Sequence, residues 1–246
     1  MPQNLFKLII LSVGFLLLFS CFITAQNLSA DVLEDLGFGD LGFYTLGVLY
    51  FSFAFSCFIA TPIVNKIGDR TSMFLGSIPY FLYVFSFVMA SASIKYPDKV
   101  DDYFFLDKGF IEAFLYIASV LNGFGASILW VGQGRYISSI ANDSNKGLFN
   151  SVFWAVMMAS LIVGALFGAI VLQNTDAFTF YVIMSIMCFL ASLFFLLLRP
   201  IHTQSVAPGT EKETAGEAPS VKTQWNFKVD VRETCKLVVR PRMMAL

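Results

Sequence analysis

Six stretches of this chain, each 22 to 29 residues long, contain no Asp, Glu, Lys or Arg. A helix needs about 20 predominantly apolar residues to cross the roughly 30 Å hydrocarbon core of a bilayer. Of the 246 residues, 57% are hydrophobic and only 13% are charged, which excludes a water-soluble enzyme and a nucleic-acid-binding protein. The uncharged stretches are residues 8–30, 41–65, 71–94, 113–134, 147–175 and 177–198.

The residue pattern inside these stretches predicts helices rather than strands of a barrel. Backbone polar groups in lipid must be hydrogen-bonded within the spanning segment or within a closed barrel. Barrel strands alternate apolar and polar residues over about 10 positions, whereas residues 189–198 read FLASLFFLLL. We therefore predict an all-α membrane protein with six transmembrane helices, the first of them retained rather than cleaved. The predicted spans are about 5–28, 41–64, 72–94, 111–136, 148–173 and 177–198.

The distribution of Lys and Arg predicts the orientation in the membrane. With the N-terminus inside, the inner side carries 13 of the 16 Lys and Arg residues, and the outer side carries 3. Acidic residues show the opposite bias, with 10 of 17 outside. Because cytoplasmic loops are enriched in Lys and Arg, both termini are predicted to be cytoplasmic. The membrane itself is either the plasma membrane or an endomembrane.

The last quarter of the chain differs in composition from the spans. Residues 201–226, which include APGTEKETAGEAPS, predict a flexible cytoplasmic linker. Residues 227–246 form a basic segment, interpreted either as a juxtamembrane helix on anionic lipid or as the approach to a seventh span. Since the chain stops within a rising apolar run, we expect the sequence to be truncated.

The sequence predicts no enzymatic activity, metal site or cofactor. It contains no phosphate-binding glycine loop and no HExxH motif, and its only histidine is His202. The cysteines lack metal-ligand spacing to a histidine, so neither a zinc site nor a disulfide framework is expected. No acidic residue lies deep within a span; Glu112 and Arg135 flank the fourth span as interfacial anchors. The four cysteines are Cys21, Cys57, Cys188 and Cys235.

The fourth span carries the most informative polar pattern, reading LNGFGASILWVGQGRYIS over residues 121–138. Small residues allow a neighbouring backbone to approach closely, and the buried amides need partners inside the bundle. Two interpretations remain open: tight helix packing, or the wall of a cavity. The candidates for contact with a cavity or partner are Asn122, Trp130, Gln133 and Tyr136. The predicted packing glycines of this span are Gly123, Gly125, Gly132 and Gly134.

Three further features complete the candidate residues. Gly164 and Gly168 form a small-xxx-small pair in the fifth span, which predicts packing within the bundle. The turn between the second and third spans contains Gly68, Asp69 and Arg70, and it predicts either a clasp onto neighbouring helix ends or a solvated loop. Asn27 begins the tripeptide Asn-Leu-Ser on the predicted outer side and is a candidate glycosylation site.

The Gly-Asp-Arg turn between the second and third of six spans resembles the N-terminal half of a major facilitator superfamily protein. Asn65 and Thr71-Ser72 replace the glycines and arginine of the usual transporter signature. The chain is more similar to the uncoordinated-93-like family, the ion-channel regulatory branch of that superfamily. The segments that carry this resemblance are 36–64, 73–87, GFGASILWVGQGRYIS at 123–138, and CKLVVRPRMMAL at 235–246.

This resemblance implies six of twelve helices, arranged as two inverted three-helix repeats. It also implies an accessory or trafficking partner of other membrane proteins, including potassium channels and receptors, that needs a C-terminal six-helix half or another chain to complete its bundle. It implies no catalytic residues. We therefore expect a non-catalytic regulator of a channel or another membrane protein. The alternative is a facilitator-type transporter of a small uncharged solute.

Overall fold

The computed structural model describes residues 2–100 and 102–199, which form six long helices. All six are long and apolar enough to cross a membrane, so the described chain is an all-α, six-span membrane protein. The predicted linker at 201–226 and the basic segment at 227–246 lie outside the described residues. The helices are α1 (Pro2–Leu33), α2 (Leu41–Ile67), α3 (Asp69–Lys95), α4 (Lys108–Ile140), α5 (Lys146–Asn174) and α6 (Ala177–Phe194).

The helices begin and end at residues whose backbone or side chain interrupts the helical hydrogen bonding. α1 continues through a wide turn, Glu34–Phe38, where Gly37 has a φ of 80°, a conformation that glycine adopts without steric cost. Gly68, with a φ of 81°, separates α2 from α3. Asp107 caps α4 by accepting a hydrogen bond from the backbone N–H of Phe110. Short 3₁₀ turns follow α3 and α6.

The helix pairing has an internal two-fold pattern that we did not detect in the sequence. α3 packs on α4 as α6 packs on α1, and α2 packs on α4 as α5 packs on α1, while α3 and α6 contact each other. The pattern is thus unchanged when α1–α3 are exchanged with α4–α6. Because each unit has three helices, corresponding helices run in opposite directions, which is the arrangement of inverted repeats.

Glycines allow the closest of these helix contacts. A Cβ on Gly123 of α4 would lie 2.5 Å from the carbonyl oxygen of Leu49 on α2, and one on Gly125 would lie 2.6 Å from the carbonyl oxygen of Gly76 on α3. On the other side of the bundle, a Cβ on Gly164 of α5 would lie 2.4 Å from the carbonyl oxygen of Ser20 on α1. α4 is therefore held between α2 and α3 by backbone-to-backbone contact.

An aromatic core fills the space between α1, α3, α4, α5 and α6. Phe15 lies at its centre, with its ring centroid 5.0 Å from Phe153, 5.3 Å from Trp130 and 5.4 Å from Phe195. Farther along α1, Phe22 packs edge-on against Tyr80 at 4.6 Å. Phe15, Phe153 and Phe195 are among the largest fully buried side chains, and edge-to-face packing of this kind stabilises a core beyond its apolar area.

Candidate functional site

Asn122 and Gln133 lie on one stripe of α4 that faces the interior of the bundle. They are eleven residues apart, about three helical turns, and therefore share a face. Asn122 is completely buried, and neither its amide nitrogen nor its amide oxygen has a hydrogen-bond partner among the described residues. Gln133 is 6% exposed. A buried amide without a partner is costly, so Asn122 marks a position that favours a polar ligand or another polar group.

Trp130 lies beside this stripe rather than on it. Its ring is partly buried and packs on Phe15 and Phe19 of α1, with centroids at 5.3 and 5.4 Å. Its other side stacks on Trp154 of α5, at 5.6 Å and an interplanar angle of 13°. Trp154 is 44% exposed. The tryptophan pair thus links α4 to α5, two helices that otherwise make few contacts. The exposed part of Trp154 is an aromatic surface on the outside of the bundle.

A buried carboxylate joins α3 to α4 at the end of the bundle that carries Lys66, Arg70 and Lys146, which we call the basic end. The Asp69 side chain is 4% exposed, and its Oδ1 lies 3.2 Å from Nε of Arg135. This ion pair lacks hydrogen-bond geometry, and neither oxygen of Asp69 has a hydrogen-bond partner among the described residues. Arg135 also donates to the side-chain oxygen of Asn65 on α2. Arg135 therefore contacts two helices besides its own, a role that its position near the end of α4 did not indicate.

The rest of the Gly-Asp-Arg turn contacts α6. Arg70 donates to the carbonyl oxygen of Leu196, in the 3₁₀ turn that follows α6, at 2.5 Å. Carbonyls at the end of a helix carry partial negative charge and favour a cation there. With Gly68 providing the bend, the structure brings the predicted turn residues against two different neighbours: α4 through Asp69 and the end of α6 through Arg70.

The remaining candidate residues have different surroundings. Tyr136 is buried, and its hydroxyl donates to the carbonyl oxygen of Arg199 at 3.4 Å. A Cβ on Gly132 would lie 3.2 Å from Met73 and Asp69 on α3, and one on Gly168 would lie 2.5 Å from Thr24 on α1. Gly134 is exposed, and a Cβ there would meet nothing within 4 Å of the described chain.

The glycosylation candidate Asn27 is exposed but lies within α1 rather than in a loop. Its acceptor partner Ser29 is 2% exposed, and the Ser29 hydroxyl donates to the carbonyl oxygen of Gln26 at 2.7 Å. Glycosylation acceptors usually lie in surface loops. The structure thus gives Asn27 a less accessible setting than the tripeptide alone indicated, and its modification stays a prediction.

A second ion pair lies at the opposite end of the bundle, where Lys95 of α3 meets Asp176 in the connection between α5 and α6. Its Nζ–Oδ2 distance is 2.8 Å. Hydrogen bonds from Lys95 and from the Thr179 hydroxyl lower the pKa of Asp176 from 3.8 to about 2. The pair is open to water, and exposed ion pairs of this kind contribute little to stability.

This pKa predicts how the outer ion pair responds to acid. Because the folded-state pKa of Asp176 lies below its unfolded-state value, its stabilising contribution is present above about pH 4 and is lost between about pH 4 and 2. We expect the difference in melting temperature between the parent and Asp176→Asn to be constant from pH 7 to about 4 and to shrink below that. A difference that shrinks already between pH 7 and 5 would contradict this assignment. High salt is expected to reduce the difference at every pH.

Most of this chain is similar in sequence to known proteins. The family described as "Ion channel regulatory protein UNC-93" matches residues 39–98 and 102–246. "UNC93-like protein MFSD11" of Xenopus tropicalis is 27% identical over 99% of this chain and 53% of its own length. "UNC93-like protein 3" of Arabidopsis thaliana is 34% identical over 67% of this chain and 32% of its own length.

A third similar protein is the "Putative potassium channel regulatory protein unc-93" of Caenorhabditis elegans. It is 31% identical over 53% of this chain and 15% of its own length. The chain spans about half the length of the MFSD11 relatives that it matches. The family match includes the whole of α2, α3, α4, α5 and α6. The family match covers most of the sequence, and the six apolar helices are consistent with it. The chain therefore belongs to the ion channel regulatory protein UNC-93 family.

Proposed function

We propose that this chain is a non-catalytic membrane protein that regulates another membrane protein, with an ion channel as the first candidate partner. The description of its family supports this function, and so does the name of the Caenorhabditis elegans relative. Among the described residues, no group of three or more His, Cys, Asp and Glu side chains could hold a metal ion. Potassium channels are the partner class to test first, and receptors are the second.

The observation that carries this proposal is the position of charge in the six helices. Every Asp, Glu, Lys and Arg of the six helices lies within about two turns of an end of its helix. On α4 these residues include Glu112 and Arg135, near opposite ends of the helix. Carriers driven by protons or sodium ions keep charged residues near the membrane midplane, because such costly groups are retained for function. The described half offers no such group.

Orientation and completion of the bundle are part of the proposal. The positive-inside rule supports cytoplasmic termini, with Lys66, Arg70 and Lys146 on the cytoplasmic side. α2 and α5 are the least buried helices, and each is held by one stripe of mostly small residues. We propose that a C-terminal six-helix half, or another chain, covers part of the surface that these two helices leave exposed. The double length of the MFSD11 relatives supports this arrangement.

A facilitator-type transporter of a small uncharged solute is the second candidate, and a specific observation favours it. The Asn122 amide is buried in the middle of α4 with no partner in the described part of the chain, and a solute with both a donor and an acceptor would satisfy it. Asn122 and Gln133 share a stripe that would line such a pathway once a second half closed it.

Copurification separates the two candidates. The protein is tagged at its N-terminus at the native locus, crosslinked in membranes and purified, and its mass and partners are read together. The regulator proposal predicts a stable complex with a channel or receptor subunit. Recovery of the tagged protein alone, in an amount that accounts for the whole crosslinked pool, would contradict it.

Substitution of Gln133 tests the transporter candidate. If Gln133 contacts a solute, Gln133→Ala is expected to abolish uptake in cells that express the protein. The Asn122 amide would then be the one amide left on this stripe, and one amide is not enough to orient the solute. Asn174→Ala is the matched control, because Asn174 is an exposed amide at the end of α5 that bonds only to its own helix. Unchanged uptake in Gln133→Ala would remove Gln133 from any transport pathway.

A further inference from the structure

A cavity of about 350 Å³ opens at the basic end of the bundle, between the first turns of α1, the last turns of α4 and the segment that follows α6. Its volume lies within the range of sites for small molecules. It is separate from the stripe of Asn122 and Gln133 and from the Asp69–Arg135 pair. The lining residues are Phe6, Lys7, Ile10, Tyr136, Leu197, Leu198 and Arg199.

Two cations, Lys7 and Arg199, line this cavity, and neither has a counter-ion among the described residues. Neither the Lys7 ammonium nor the Arg199 guanidinium forms an ion pair within residues 2–100 and 102–199. The two carboxylates at this end of the described bundle are Asp69, which pairs with Arg135, and Asp143, which is exposed in the connection between α4 and α5. The cavity is therefore positively charged, and an anion would be attracted to it.

The lining of the cavity combines apolar and polar side chains. Phe6 and Ile10 on α1, with Leu197 and Leu198 after α6, provide apolar walls. The polar part is formed by the two cations and by the buried Tyr136, whose hydroxyl already contacts the Arg199 carbonyl. Lys7 lies one turn inside the start of the first candidate span, and Arg199 lies two residues past the end of the sixth. This position corresponds to the boundary between hydrocarbon and water.

We propose that this cavity binds the phosphate headgroup of an anionic phospholipid. The phosphate would lie between Lys7 and Arg199, and the glycerol and upper acyl chain would lie along Phe6, Ile10 and Leu197. Basic pockets between transmembrane helices on the cytoplasmic side suit anionic headgroups. A free phosphate ion would satisfy the two cations equally well, but it would leave the apolar walls without a partner, and for that reason a lipid is the favoured ligand.

Native mass spectrometry of the detergent-purified 246-residue chain tests the proposal. The probes are dioctanoyl phosphatidylinositol 4-phosphate, dioctanoyl phosphatidylcholine and inorganic phosphate. We expect one molecule of the anionic lipid to bind at concentrations where phosphatidylcholine does not. Each removed cation is expected to weaken binding about fivefold, so Lys7→Gln with Arg199→Gln should weaken it about 25-fold.

Matched variants keep the test decisive. Lys146→Gln removes one positive charge from an exposed position at the same end, outside the cavity, and should leave binding unchanged. Lys7→Arg keeps the charge and should retain binding, while equal melting temperatures show that the variants are folded. Equal affinity for phosphatidylcholine, or equal binding by the double variant, would overturn the proposal. Displacement of the lipid by millimolar phosphate would overturn the lipid assignment in favour of a free anion.

Discussion

Replacement of Gly123 by alanine is expected to lower the free energy of unfolding by about 1–3 kcal/mol, the usual cost of overpacking a tightly packed core. The added Cβ would lie 2.5 Å from the Leu49 carbonyl oxygen and 2.7 Å from the Phe53 backbone nitrogen. Both are backbone atoms of α2, so the contact can be relieved only by moving the helix. Movement would also lengthen the hydrogen bond from the Ser56 hydroxyl to the Gly123 carbonyl, now 3.2 Å.

The same helix supplies a matched control for this substitution. Gly134 has open space around its Cβ position, so Gly134→Ala should leave the stability within about 1 kcal/mol of the parent, with any change on the stabilising side. Unfolding by sodium dodecyl sulfate in mixed micelles, followed by tryptophan fluorescence, gives both values. Equal stabilities for the two variants would show that α2 and α4 are not in backbone contact at Gly123.

The sequence predicted the number of spans and their centres because lipid imposes a simple length and charge rule. The predicted span at 72–94 corresponds to α3 at Asp69–Lys95, and the one at 111–136 to α4 at Lys108–Ile140. These two structural helices are longer because charged and polar residues continue the helical hydrogen bonding past the apolar stretch. The predicted span at 177–198 is longer than α6, which ends at Phe194 and is followed by a 3₁₀ turn. Hydropathy marks the hydrocarbon boundary, whereas caps such as Asp107 mark the end of the helix.

The site was predictable only in part, for a physical reason. Residue type and spacing singled out Asn122 and Gln133 as amides on α4, but spacing within one helix cannot show which neighbour faces them. Trp130 shows the difference. It was grouped with Gln133 as a candidate for cavity or partner contact, and the structure stacks it on Trp154 of α5. The pairing of Asp69 with Arg135 joins residues 66 positions apart, and no local pattern in the sequence encodes it.

Replacement of Arg135 by glutamine is expected to destabilise the protein by about 3 kcal/mol. Removing one partner of a buried ion pair leaves an uncompensated charge, which costs about 3–5 kcal/mol. The lower end of that range applies because Arg135 is 28% exposed, although Asp69 is only 4% exposed. Asp69 depends on Arg135 entirely, since neither of its oxygens has another partner among the described residues. Loss of the Asn65 contact with Arg135 adds to the effect.

The double variant Asp69→Asn with Arg135→Gln removes both charges together and separates charge burial from packing. We expect it to recover most of the stability lost in Arg135→Gln, because two neutral amides can remain buried side by side. The outer pair provides the comparison: Lys95→Gln breaks an exposed ion pair and should lower the stability far less than Arg135→Gln does. If Arg135→Gln cost as little as Lys95→Gln, the Asp69 carboxylate would have to be solvated, and the junction between α3 and α4 would be open to water. A large loss of stability in Arg135→Gln that the double variant reverses would instead show that water is excluded from this junction and that the two charges compensate each other there.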